Sequence, residues 1–213
     1  MTGAEGPLPG GAFGALRRRI PQRDQDERCE LCSEPLGSRH RHLLDPTSRQ
    51  VLCSCDACGI LFSSQAATRY RLIPDRVRFL PDFQMSEEVW AGLGIPVNMA
   101  FFQHSLPSGQ VTAFYPSPAG ATESLLSFET WEELEEANPV LRTMEPGVEA
   151  LLVNRVGRSH QYFIASIDQC YRLVGIIRLG WRGLSGGTEV WKHVESFFAE
   201  LRERATTVTS SRA

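Results

Sequence analysis

Five of the six cysteines in this 213-residue chain fall between residues 29 and 58. That crowding governs how the N-terminal part can fold. Cys29-Glu30-Leu31-Cys32 and Cys55-Asp56-Ala57-Cys58 are two Cys-x-x-Cys knuckles separated by 22 residues, a zinc-ribbon pattern with a slightly long gap. The segment between them supplies the mechanism. Residues 40–44 read as a strand, 45–48 as a tight turn and 49–52 as the return strand. A hairpin of that length brings both knuckles to one end. There Cys29, Cys32, Cys55 and Cys58 can surround one ion tetrahedrally at about 2.3 Å. Four thiolates leave no position for water, so the expected zinc is structural rather than catalytic. So short a segment buries too little apolar surface to fold alone. Ligation, contributing on the order of 10 kcal/mol or more, makes up the deficit.

Alternatives stay open at this site. Iron is the second choice, because a rubredoxin-like redox centre also uses two Cys-x-x-Cys knuckles; here only Cys58 is followed by glycine. Cys53 is a surplus thiol. Two residues before Cys55, it shares a strand face with it and is an alternative ligand, or simply packs on the ribbon. His40 and His42 also share a face. With the thiolate set complete, they read as packed or solvated.

The remaining sequence is that of an ordinary soluble globular chain, 42% hydrophobic and 22% charged, with net charge -3. The charge balance argues against a nucleic-acid footprint. No apolar run is long enough for membrane insertion. Arg17-Arg18-Arg19 is followed by polar residues, not by the apolar stretch an export signal needs, so a reducing cytoplasm is expected. Clustered cysteines in such a compartment favour metal over disulfides.

The expected organisation is a disordered or short-helical segment over 1–28, with the helix at 12–20, then a zinc-ribbon-like module over 29–63. A connector over 64–75 reads as helical until Pro74. An α+β domain spans 76–206. In it, residues 97–104 and 111–115 read as strands, as do 148–156 and 161–167. The third of these is almost continuously apolar and should be central. Thr130 and Glu133 form a capping box for one helix. Cys170, Leu173, Val174 and Ile177 mark a second apolar stripe. Val190, Val194, Phe197, Phe198 and Leu201 mark a third, on a helix capped by Thr188. Stripes packed on one face of an antiparallel sheet give a two-layer sandwich.

Other sites are sparse. Residues 115–124 read as a long Pro/Gly loop, better explained as a rigid connection than as a binding loop. Residues 181–188 lead into a helix N-terminus where Arg182 and backbone amides could hold an anion, but a helix cap is the better reading. Ser159-His160 and Asp168-Gln169-Cys170 can be drawn as a Cys/His/Asp set, yet Cys170 belongs to an apolar stripe. No catalytic site is assigned, and a non-enzymatic role is expected.

Several stretches resemble a family of uncharacterised, mainly actinobacterial proteins associated with uptake [NiFe]-hydrogenase gene clusters. They include Cys29-Glu30-Leu31-Cys32, Arg41-His42-Leu43-Leu44-Asp45, Cys53-Ser54-Cys55-Asp56-Ala57-Cys58, Ile167-Asp168-Gln169-Cys170-Tyr171-Arg172-Leu173 and Trp181-Arg182-Gly183-Leu184-Ser185-Gly186-Gly187. The resemblance implies an accessory or assembly protein with a hydrogenase subunit or maturation factor as partner. A redox or metal-handling protein using the same cysteines is the alternative.

Overall fold

Two sheets organise the chain. The structure, a computed structural model, describes residues 27–63, 69–106, 108–124, 128–157, 160–183 and 186–209. The helix expected over 12–20 lies outside the described residues.

The smaller sheet contains the expected hairpin. β1 (Arg41–Asp45) and β2 (Gln50–Ser54) pair antiparallel, from Arg41 opposite Ser54 to Asp45 opposite Gln50. Asp45 makes the turn: its Oδ1 accepts from the backbone amides of Thr47 at 2.9 Å and Ser48 at 3.4 Å. Helix α1 (Asp56–Ser63) follows. A third strand, β3 (Arg71–Leu72), pairs antiparallel with the other edge of β1. It corrects the expectation of a helical connector running to Pro74: the open edge of β1 recruits this stretch as extended chain, and residues 64–68 lie outside the described residues.

The larger sheet has seven strands in the order β10-β4-β9-β8-β5-β6-β7. They are β4 (Val77–Phe79), β5 (Met99–His104), β6 (Val111–Ser117), β7 (Gly120–Ser124), β8 (Glu149–Asn154), β9 (Gln161–Ser166) and β10 (Thr206–Thr207). All neighbours pair antiparallel except β10 with β4. β8 lies in the middle with every residue buried, as its apolar run requires.

Both faces of this sheet are covered. On one, Met99, Phe101, Leu152 and Phe163 pack against α4 (Ile167–Gly180) and α5 (Gly187–Arg204), which present the expected stripes. On the other, Phe102, Leu151, Val153 and Ile164 meet Trp90 of α2 (Glu87–Gly92) and Trp131 and Leu134 of α3 (Phe128–Ala137). Leu141, from a 3-10 turn over Pro139–Thr143, joins that second core. The α+β class holds, but the two-layer arrangement becomes three layers. The physical reason is in β5 and β8, whose apolar residues occupy both phases of the strand alternation, so each face needs a helical cover.

Three local expectations are also corrected. Residues 115–124 are a hairpin, not a loop: β6 runs through Pro116 to Ser117, and Ser117 stands opposite Gly120. Pro116 is tolerated because it sits near the end of its strand, beside edge strand β7. Helix α3 begins at Phe128, so Thr130 lies inside it rather than at its cap. Helix α5 begins at Gly187 behind Gly186, whose φ of 85° is left-handed; Thr188 is already helical.

Candidate metal centre

The first knuckle is a tight turn closed by its own backbone. The amide of Cys29 donates to Glu34 O and that of Ser33 to Cys29 O, each at 2.8 Å. Ser33 adopts a φ of 65°. The turn is pinned to β2 by a reciprocal pair. Glu30 N donates to Cys53 O at 2.9 Å, and Cys53 N donates to the Glu30 carboxylate at 2.6 Å. The second knuckle is the N-terminus of α1. Cys58 N points at Cys55 Sγ at 3.4 Å, and Gly59 N donates to Cys55 O at 2.8 Å. Gly59 is a close approach, since a Cβ there would come within 2.7 Å of Arg41 Cδ. Arg41 in turn pairs with Asp56 at 2.6 Å.

These devices bring Cys29, Cys32, Cys55 and Cys58 together, with ligand atoms all within 4.8 Å of one another. The spacing fits a metal. Thiolates on a tetrahedral ion with bonds of about 2.3 Å stand about 3.8 Å apart, and Cys32 Sγ lies 3.7 Å from Cys55 Sγ. All four are free thiols. Their electrostatics are compatible with a bound cation. Burial would raise the Cys29 thiol, but backbone amides of Cys55, Leu31 and Cys32 outweigh it and hold it down to about 6. Cys58 is pushed up to about 12 by burial and by the neighbouring thiols. A bound cation would offset the repulsion between neighbouring thiolates.

Cys53 falls outside this set. Its side chain groups instead with His40 and His42, again within 4.8 Å. In the sequence these read as a surplus thiol and two packed or solvated histidines. Their shared strand face was the available signal, and the tertiary link was not. His42 Nδ1 lies 3.0 Å from the Asp168 carboxylate at the start of α4. Burial opposes ionisation of Asp168, but His42 and the Gln169 amide outweigh it and keep the carboxyl below its ordinary value. Asp168 therefore serves His42. Cys170 points into the core, fully buried, with its thiol pushed far up by desolvation. Ser159 lies outside the described residues. Arg182 donates to the carbonyls of Leu179 and Trp181, so it serves the C-terminal end of α4 and not the N-terminus of α5, where the cap was expected.

The family model of DUF5947 matches residues 28–205. The chain belongs to this family of unknown function. The match begins just before the first knuckle and ends just after α5, so it covers both groupings of potential ligands and every strand of the two sheets except β10. No curated protein and no solved structure matches the chain. Among the described residues of this DUF5947 member, no helix is long and apolar enough to cross a membrane.

Proposed function

We propose that this DUF5947 chain is a non-enzymatic interaction protein built on a structural zinc ribbon. The observation that carries the reading is the cluster of four cysteine sulfurs at one end of the β1–β2 hairpin. Cys29, Cys32, Cys55 and Cys58 would hold the ion, which supplies no reactive position and fixes both knuckles. Directly after the second knuckle, α1 leaves Ile60, Leu61 and Phe62 exposed, at 58%, 63% and 41%. Apolar side chains held rigidly beside a metal-fixed turn suit protein contact. In keeping with the resemblance, the proposed partner is a cytoplasmic hydrogenase subunit or maturation factor.

The test joins metal and partner. Cys29→Ser and Cys58→Ser should each abolish the colourless, redox-silent ion on the four thiolates. The double variant Ile60→Asp/Leu61→Asp should keep that ion but lose capture of a hydrogenase-cluster product from the native host. A coloured, reducible iron centre would favour the rubredoxin-like reading instead. Normal hydrogen uptake in a deletion strain, with no such product captured, would refute the proposed partner.

A further inference from the structure

Beyond the four-thiolate cluster, we propose that His40, His42 and Cys53 form a second metal site, with two imidazole nitrogens and one thiolate, for a borderline divalent ion such as zinc. This site stands on its own residues and does not depend on what the four thiolates bind. Three observations carry it.

First, the ligand atoms of the three side chains already lie within 4.8 Å of one another. A small side-chain rotation closes that to the roughly 3.5 Å spacing of N and S donors on a tetrahedral ion. The backbone holds them there. His42 is directly opposite Cys53 in the β1–β2 register. His40 is two residues before His42, and their rings meet edge to face at 4.8 Å between centroids.

Second, each imidazole has its Nδ1 occupied, leaving Nε2 to bind. His40 Nδ1 lies 3.0 Å from Gly37 O, with the Glu27 carboxylate at 3.6 Å. His42 Nδ1 lies 3.0 Å from Asp168 Oδ2. A carbonyl or carboxylate behind a histidine is the outer shell that orients metal-binding imidazoles and fixes their tautomer.

Third, His40 Nε2 is buried, on a side chain only 9% exposed, and has no hydrogen-bond partner among the described residues. A merely packed histidine pairs its second nitrogen with protein or water. Here the side chain belongs to the same compact group as His42 and Cys53.

Three donors leave a fourth position for water or an incoming ligand, which distinguishes this site from the closed one. It also has a distinct place in the fold. His42 is backed by α4, so an ion here would join the small sheet to the large one.

The test uses full-length protein saturated with zinc, desalted, and analysed for metal and protein. The expected result is one more ion per chain than the four-thiolate cluster holds. X-ray absorption at the zinc edge should show imidazole scattering alongside sulfur. His40→Ala/His42→Ala and, separately, Cys53→Ala should each lose that one extra ion and the imidazole signal, while the sulfur shell and near-UV circular dichroism persist. The unmutated protein keeps the proposal falsifiable if a variant misfolds. Saturated wild-type protein without imidazole scattering overturns it, as does a folded double variant that keeps the full metal content. Loss of metal from Cys29→Ser alone would bear on the four-thiolate site and leave the imidazole readout to decide this one.

Discussion

Glu149 is a carboxylate with no accessible surface at the start of the central strand. It is kept there by two guanidinium groups and one amide. Arg76 Nε donates to Oε1 at 2.7 Å, and Arg78 donates to Oε2 at 3.0 Å. Glu145 N donates to Oε2 at 2.9 Å. Removing one member of a buried ion pair leaves uncompensated charge, which typically costs about 3–5 kcal/mol. Arg78 is left mostly buried without that partner, whereas half-exposed Arg76 keeps Glu145, so Glu149→Ala should destabilise by about 2–4 kcal/mol in urea unfolding, with metal content unchanged. Nothing in the sequence announces this hub, because Arg76 and Arg78 are 73 and 71 residues away. The four thiolates were legible for the opposite reason. Their spacing within each knuckle is local, and the hairpin between them is written in turn residues. His40, His42 and Cys53 fall between these cases. Their shared strand face was readable, whereas the Asp168 carboxylate comes to lie behind His42 only after α4 docks.

At the scale of elements, the amphipathic helices were the most legible. Cys170, Leu173, Val174 and Ile177 on α4 are buried as their spacing requires, and so is the stripe on α5. Helix starts were less so. Thr188 looked like a cap, but the chain turns two residues earlier at Gly186. There a Cβ would come within 2.9 Å of Val190 Cγ1 and 3.0 Å of the Trp181 ring, on a backbone with φ of 85°. Gly186→Ala combines a left-handed backbone with a steric clash and should destabilise by about 1–3 kcal/mol. Its thermal midpoint should fall, and trypsin should cut sooner in residues 181–188. The layer count failed for a different reason. Two long stripes were visible, but the other face is covered by shorter pieces, the ten-residue α3 and the six-residue α2, whose few apolar positions do not show which face of the sheet they cover. The need for a second cover was nonetheless present in β5, where Phe101 and Phe102 point to opposite faces and both are fully buried.

At the scale of the whole molecule, the large sheet has its own double-sided core, so residues 76–206 should fold without the N-terminal unit. The fragment should be less stable than the full chain, because Leu44 of β1 and Ile73 are buried in the same core as α4 and α5, and Val51 packs against it. Cooperative unfolding at a lower midpoint is the expected outcome by circular dichroism; a fragment without a cooperative transition would make the small sheet part of the core. The last strand has a consequence of its own. β10 pairs parallel with β4, placing Thr206 beside Arg78 and Thr207 beside Phe79. During synthesis on the ribosome, β4 therefore emerges more than a hundred residues before its outer neighbour. Once β9 has paired with its inner edge, its outer edge presents unpaired amides and carbonyls until β10 emerges, the condition under which strands pair with the wrong partner. Slow translation across α5 would lengthen that exposure, and a chaperone that shields strand edges would relieve it.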